Sequence, residues 1–519
     1  MPQTSEQLSA SAARHAEAGR WELARNDWLK ALTLAPDSAD IMLELSYVES
    51  FRGCYRAARD WVLRATRARP ESGDAVLTLL RRLCNFNEGV LLRALAVRFL
   101  VTPQVPHVVL VECAKQLIIL NEFGLAMQCA EAALARAPDD LSARLVRGQL
   151  HAHHGRIGDA ISDFEQVLRR APNLATAWWM LARLRKQTLD FNHIAQLRKW
   201  LDRPGLPATE IAAVARALHK ELDDIGDYAA AWQALQAQCQ AMRSALVYDP
   251  EETRKLVRAL KAMPVGHAAS AARPQGEKTP IFIVGMHRSG TTLLEQLLSA
   301  SPQTRALGEL YDFTAALRFT ADSQCQFPLD LGLIERMQGA DFVALGQRYL
   351  DGVAWRLGEE SHFTDKQPVN FLNIGYICKA LPHAKILHMV RDPMETCFSN
   401  LRELFSDANR HSYDQLELAD YFLQYRSLMG HWHAAFPGRI LDVGYAQLTS
   451  DPAETMRVVG QFCGVDYVDS MRSTKAAQRA VATASSIQVR EEVAQRDTPK
   501  WLPYESQLQP LLQALRDGR

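Results

Sequence analysis

The chain has 519 residues, too long for one ordinary domain, so two or three are expected. Lys+Arg and Asp+Glu both number 59, and a net charge of zero removes any global electrostatic case for nucleic acid or an anionic membrane as partner. The nine cysteines are scattered with no C-x-x-C, the N-terminus lacks the layout of a signal peptide, and no apolar run nears the ~20 residues that span a bilayer. A soluble protein of a reduced compartment, the cytoplasm, is the expectation.

Prolines recur at Pro36, Pro70, Pro103, Pro138 and Pro172, with separations of 34, 33, 35 and 34. Ala24, Ala58, Ala126 and Ala160 stand twelve residues before four of them, and Ala31, Ala65, Ala133 and Val167 stand five before. Gly19, Gly53 and Gly155 each precede their alanine by five. Small residues let paired helices approach, glycine turns the chain between them, and proline stops the second helix. The period and this code resemble the tetratricopeptide repeat (TPR). The unit from Asn87 to Pro103 is degenerate, with Leu91 at its alanine position, and beyond Pro172 only Gly226 and Ala231 keep the offset. Residues 1–262 therefore read as an α-helical TPR superhelix of five or more hairpins. Its groove would hold a peptide or protein partner; the plain alternative is a rigid scaffold or a dimerisation arm, which makes a homo-oligomer. His151, His153 and His154 do not share one helix face, so a solvated surface is expected there rather than a metal site.

Residues 263–279 are small, polar and proline-containing and read as a linker. The second domain, 280–519, opens on the apolar run Ile281-Phe282-Ile283-Val284, then Gly285, then a helical pattern with Leu293, Leu294, Leu297 and Leu298. Strand, tight loop and helix aim the loop amides at an anion. The spacing Gly285-x4-Gly290-Thr291-Thr292 nearly fits a phosphate loop, but Thr291 holds the lysine position and Arg288 brings the charge earlier. Further strands are expected at 305–307, 362–364, 385–390 and 439–443, alternating with helices, which implies an α/β domain with a mostly parallel sheet. In such sheets ligands bind beyond the carboxyl ends of the strands. There the sequence places, in order, the loop from Gly285 to Thr292, Glu309, Asp365-Lys366, Arg391 with Ser399 eight residues on, and Tyr445. Each has a plain alternative: Glu309 as a cap for a helix starting at Leu310, Lys366 as a solvated loop residue, Arg391 in a local ion pair, Tyr445 as a core-edge aromatic. Their convergence on one edge favours a binding site.

A triphosphate enzyme of this loop class needs the loop lysine and magnesium held by an acidic strand end. Neither is evident, so phosphoryl transfer is disfavoured and no metal is expected. Arginine, lysine, hydroxyls and amides suit a less charged donor, such as a sulfonate on a nucleotide 5′-phosphate.

The motifs IFIVGMHRSGTTLLEQLL, TDKQPVNF and MVRDPMETCFSN resemble the sulfotransferases that use 3′-phosphoadenosine 5′-phosphosulfate (PAPS) as co-substrate, over roughly residues 280–505. The resemblance is closest to the tyrosylprotein branch and to bacterial proteins that join TPR repeats to a sulfotransferase domain. It implies that Arg288, Ser289, Gly290, Thr291 and Thr292 grip the 5′-phosphosulfate, and that Arg391 and Ser399 hold the 3′-phosphate. It further implies that Tyr445 contacts the nucleotide, that Glu309 is the catalytic base, that Lys366 and Ser485 stabilise the transition state, and that Lys500 binds the donor. Two positions depart from the pattern. His287 stands where relatives often carry proline, and Glu403 stands where the tyrosylprotein branch has an arginine four residues past the 3′-phosphate serine. The implied activity is sulfation of a hydroxyl, with peptide tyrosine favoured. Sulfation of a carbohydrate, lipid or small molecule, or a nucleotide-binding scaffold without turnover, are the alternatives.

Overall fold

The periodic segment forms the expected hairpins, and their caps explain the period. The structure, a computed structural model, describes residues 3–70, 72–265, 278–325, 328–405, 407–474 and 498–518. Five helix pairs run in sequence: Ser5–Glu17 with Trp21–Leu34, Ala39–Phe51 with Tyr55–Ala68, Gly73–Asn85 with Gly89–Leu100, His107–Ile119 with Phe123–Arg136, and Leu141–His153 with Ile157–Arg170. Two residues after the stopping proline, Ser38 and Ser72 each cap the next helix by accepting from the amides of Ile41 and Ala75, and Asp140 does so for Ala143. The code alanines 24, 31, 58, 65, 126, 133 and 160 and Val167 are all fully buried.

The inter-helix turn needs a left-handed residue, and Gly19, Gly53 and Gly155 supply it at φ 69°, 77° and 77°. The two units that lack glycine put Asn87 (φ 58°) and Asn121 (φ 61°) at the same position, because asparagine tolerates this conformation better than other residues with a Cβ. Counting from that turn corrects the register of the degenerate unit. Its alanine position is Leu92, which is fully buried, and not Leu91, which is half-exposed. Asn87→Ala is expected to destabilise by about 1 kcal/mol and Asn87→Gly to be neutral or slightly stabilising. A urea midpoint for Asn87→Ala equal to wild type would contradict this. The histidine cluster also needs correcting: His151 is buried beside Asp163 (Nε2–Oδ2 3.8 Å), not solvated.

Packing divides the described chain into two units, residues 1–146 with 311–355, and residues 147–310 with 356–519. In the first, the helices Asp312–Ala321, Leu331–Arg336 and Phe342–Val353 lie against the second and third hairpins. Arg56 locks them: its amide donates to Asp322, Nε to the Phe319 carbonyl and Nη2 to the Thr320 carbonyl, each at 2.8 Å. At Gly89 the Trp355 indole packs so close that a Cβ would lie 2.6 Å from it.

In the second unit, the strands β1 (Thr279–Gly285), β2 (Thr304–Ala306), β3 (His362–Asp365), β4 (Lys385–Val390) and β5 (Ile440–Gly444) form one sheet in the order β2-β3-β1-β4-β5. Every pairing is parallel, so all carboxyl ends share one edge. β1 is buried along its whole length, which is why it reads as an unbroken apolar run. Ile281 and Ile283 pack with Leu293, Leu294, Leu297 and Leu298 of the following helix and with Leu387, Met389 and Val443 of the neighbouring strands. Helices late in the first half belong to this unit. Ala208–Asp224 and Tyr228–Ala245 pack on residues 404–405 and 413, and Tyr504 donates to Asp223. Among the described residues no helix is long and apolar enough to cross a membrane.

Candidate active site

The loop after β1 bends through conformations that only its sequence allows. Gly285 (φ 150°) passes so close to β4 that a Cβ would meet the Met389 carbonyl oxygen at 2.8 Å, and Gly290 (φ 111°) lies under the Tyr445 ring, 2.6 Å from where its Cβ would be. Between them Arg288 adopts φ 67°. The buried Ser289 closes the turn, its amide and hydroxyl both donating to the Met286 carbonyl at 3.2 and 2.7 Å. Thr291 and Thr292 open the helix Thr291–Leu298 and are buried at its amide end. From below, Tyr425 accepts from the Met286 amide and meets His388 of β4, whose Nδ1 bonds Asp442 of β5 at 2.7 Å.

One end of the edge is anion-directed. Arg288 Nε donates to Ser399 Oγ at 3.3 Å, and Arg391 Nη1 donates to the Arg288 carbonyl at 3.2 Å. The Arg391 guanidinium lies over the Tyr445 ring at 4.4 Å and pairs with Glu395 at 2.7 Å. Glu395 also accepts the Lys500 amide at 2.9 Å, which ties that late residue to the same place. Thus Arg288, Gly290, Arg391, Ser399, Tyr445 and Lys500 come together. The local ion pair expected at Arg391 exists, but with Glu395. Asp392 instead caps the helix Pro393–Leu401.

The other end holds a lysine and a carboxylate in contact. Lys366 is fully buried, and its Nζ donates to Glu309 Oε1 at 2.6 Å. Glu309 is no helix cap, since the next helix starts at Asp312 after Tyr311. Its loop is held from behind by Glu295, which accepts from the Gly308 amide at 3.0 Å and from Thr364 Oγ1 at 2.6 Å. Burial pushes the Glu295 carboxyl above the usual range, although Lys366 and those two hydrogen bonds oppose the shift. His287 lies between the two ends. Burial drives its imidazole down to about 4, with Glu309 opposing and Lys366 and Arg288 reinforcing the shift, so it is neutral at pH 7. Asn400 Nδ2 donates to its carbonyl at 2.7 Å. Ser485 lies outside the described residues.

Sequence reasoning assigns no role to Glu295, Glu395 and Asn400, which lie inside the motif segments, or to Tyr425, which lies in none. Glu403, which departs from the tyrosylprotein pattern, has its Oε2 3.9 Å from Arg288 Nε. Burial alone would raise its pKa, but Arg288, Arg216, Arg183 and Arg402 together hold it below the usual value.

Burial likewise lowers His219 and takes His411 down to about 3. With His287 these are three imidazoles that stay neutral when folded but protonate near pH 6.5 when unfolded. The unfolded chain then binds more protons below pH 6.5, so stability falls with pH, by about 1.4 kcal/mol per imidazole at pH 5.5. The urea midpoint should drop clearly between pH 7.5 and 5.5; an unchanged midpoint would contradict the burial of these neutral rings.

Residues 280–469 match the model of the sulfotransferase family. This segment is a sulfotransferase-family domain, preceded in the chain by TPR-like helical repeats. The chain is 30% identical over 340 residues to an uncharacterised protein of Aquifex aeolicus (strain VF5), covering 63% of this chain and 44% of that one. It is 25% identical over 209 residues to protein-tyrosine sulfotransferase 2 of Gallus gallus, covering 37% of this chain and 52% of that one. The chain thus spans about half the length of the curated relatives it matches. Among solved structures, the sulfotransferase domain from the Synechococcus PCC 7002 olefin synthase is 16% identical over 47% of this chain and 96% of its own, with a TM-score of 0.31.

Proposed function

We propose that the protein transfers the sulfuryl group of PAPS to an acceptor hydroxyl, with a tyrosine in a peptide or protein as the favoured acceptor. The observation that carries this is the 2.6 Å Lys366–Glu309 pair on the same sheet edge as Arg288, Ser399 and Arg391. PAPS supplies an activated sulfuryl group and two phosphate positions. The lysine-free loop with Arg288 suits the 5′-phosphosulfate, and Arg391 with Ser399 suits the 3′-phosphate. Tyr445 and Lys500, tied to Arg391 by its ring contact and through Glu395, are assigned to the nucleotide.

In the proposed step Glu309 takes the proton from the acceptor hydroxyl as its oxygen bonds to sulfur. The bond from sulfur to the 5′-phosphate oxygen breaks, and Lys366, Arg288, the loop amides and Ser485 meet the charge that grows there. The products are a sulfate ester and adenosine 3′,5′-bisphosphate. No metal is invoked for any of these roles.

A peptide acceptor is supported by the position of Glu309, which follows the tyrosylprotein pattern, and by the repeats. The segment that starts two residues after Glu309 packs on the second and third hairpins, and with them lines a cleft of about 890 Å³. A cytoplasmic location is supported by the free thiols, six of the nine being buried. The test is transfer of label from radioactive PAPS to tyrosine peptides and, in parallel, to glycans. Label on peptides supports the full reading. Label on glycans alone overturns the acceptor, and no transfer to anything overturns the enzyme.

A further inference from the structure

Beside the donor loop the second unit buries a guanidinium that is not fully hydrogen-bonded among the described residues. Arg216 lies on the helix Ala208–Asp224 and is 6% exposed, yet its Nε has no hydrogen-bond acceptor among the described residues. Its guanidinium lies over the Trp179 ring at 4.5 Å. The same helix is fixed against the segment that follows Ser399. Ala212, one turn before Arg216, packs with Leu404 and Phe405, and Asp223, two turns after it, pairs with Arg402 at 3.5 Å. From the adjacent helix, Gln238 donates to the Glu403 carbonyl at 3.3 Å. Arg216 is thereby held within electrostatic range of Glu403, Arg402, Arg183 and Arg288.

Arg288, Arg216, Arg183 and Arg402 all act on the Glu403 carboxylate, itself only 5% exposed, and of these Arg402 also pairs with Asp223. Burying a cation costs several kcal/mol unless it is paired and hydrogen-bonded, and a guanidinium offers five donors. Here burial pulls Arg216 down to about 9, with Glu403 opposing and the other arginines adding to the shift. A dianion with three or four acceptor oxygens would give Arg216 Nε an acceptor and offset the cost of burying this guanidinium. Arg288 joins this cluster to the donor site through its 3.3 Å bond to Ser399.

We propose that Arg216, contributed by a helix of the repeat-bearing half, forms with Arg288, Arg183 and Arg402 a pocket for a phosphate- or sulfate-like dianion, and that the dianion is the 3′-phosphate of the donor nucleotide. The nucleotide part of this proposal rests on the donor reading above; the pocket itself does not. On this account the repeat-bearing half completes the donor site, and Arg216 supplies positive charge next to Glu403.

The test is titration calorimetry on the full chain with adenosine 3′,5′-bisphosphate, adenosine 5′-monophosphate and inorganic sulfate, using wild type, Arg216→Met and Arg216→Lys. Arg216→Met is expected to weaken the bisphosphate at least tenfold and to leave the monophosphate within twofold, with Arg216→Lys recovering part of the loss. Wild-type binding of sulfate that Arg216→Met abolishes, with bisphosphate affinity unchanged, would keep the pocket but overturn the nucleotide as its source. Wild type that binds sulfate through Arg216 but no bisphosphate would overturn the PAPS reading and leave the pocket standing. Equal affinities of all three proteins for all three ligands would overturn the pocket. Should Arg216→Met not fold, Arg183→Gln, at a half-buried position of the same cluster, takes its place with the same expected ranking.

Discussion

Replacing Glu309 by glutamine is expected to lower kcat by about 10²–10⁴, with donor affinity little changed. Glutamine keeps the shape and still offers an oxygen to Lys366 Nζ, so the 2.6 Å contact and the loop survive while the capacity to take a proton is lost. Glu309 bonds Lys366 at the other end of the edge from Ser399 and Arg391, so binding of adenosine 3′,5′-bisphosphate should be spared. Steady-state kinetics with a labelled donor checks this. Unaltered kcat would assign the base elsewhere, and the neutral imidazole of His287 would be the first residue to examine.

Replacing Lys366 by methionine is expected to cost about 10²–10³ in kcat, with a smaller change in donor KM. The reason is where the charge sits. Lys366 is fully buried at the end of β3, its amide donates to the Gly308 carbonyl at 2.9 Å, and its ammonium has one carboxylate in contact. A rigid ammonium away from water stabilises developing charge without reorganising, which is the condition under which such a donor counts most. Methionine fills the space and leaves Glu309, about a third exposed, to be solvated. Because the two residues touch, the double variant should lose less than the product of the single losses. A rise in donor KM at unchanged kcat would instead make Lys366 a ground-state binding residue.

Much of this was legible in the sequence because the relevant signals are local. A parallel strand buried on both faces must be an apolar run, which is how β1 shows itself, and all five strands could be placed to within a residue or two. The residue after each strand then follows from the rule that carboxyl ends gather on one edge. The repeat code was legible where it uses glycine and alanine. It failed at Asn87 and Asn121, where a different residue meets the same backbone demand, and this shifted the alanine position from Leu92 to Leu91. What the sequence could not show is contact across long separations. Nothing in the pattern around Arg216 connects it to Glu403, 187 positions later. The docking of residues 311–355 on Arg56 and Gly89 is equally silent, since it rests on carbonyls and one indole rather than on a motif. Glu295 and Glu395 read as ordinary helix carboxylates until their partners come into view.

The most direct test of the central claim is a crystal structure with adenosine 3′,5′-bisphosphate bound. The 5′-phosphate is expected against the amides of residues 288–292 and the 3′-phosphate within hydrogen-bond reach of Ser399 and the arginines around it. A nucleotide bound with its 3′-phosphate turned away from Arg391, Ser399 and Arg288, or bound away from this edge altogether, would contradict it.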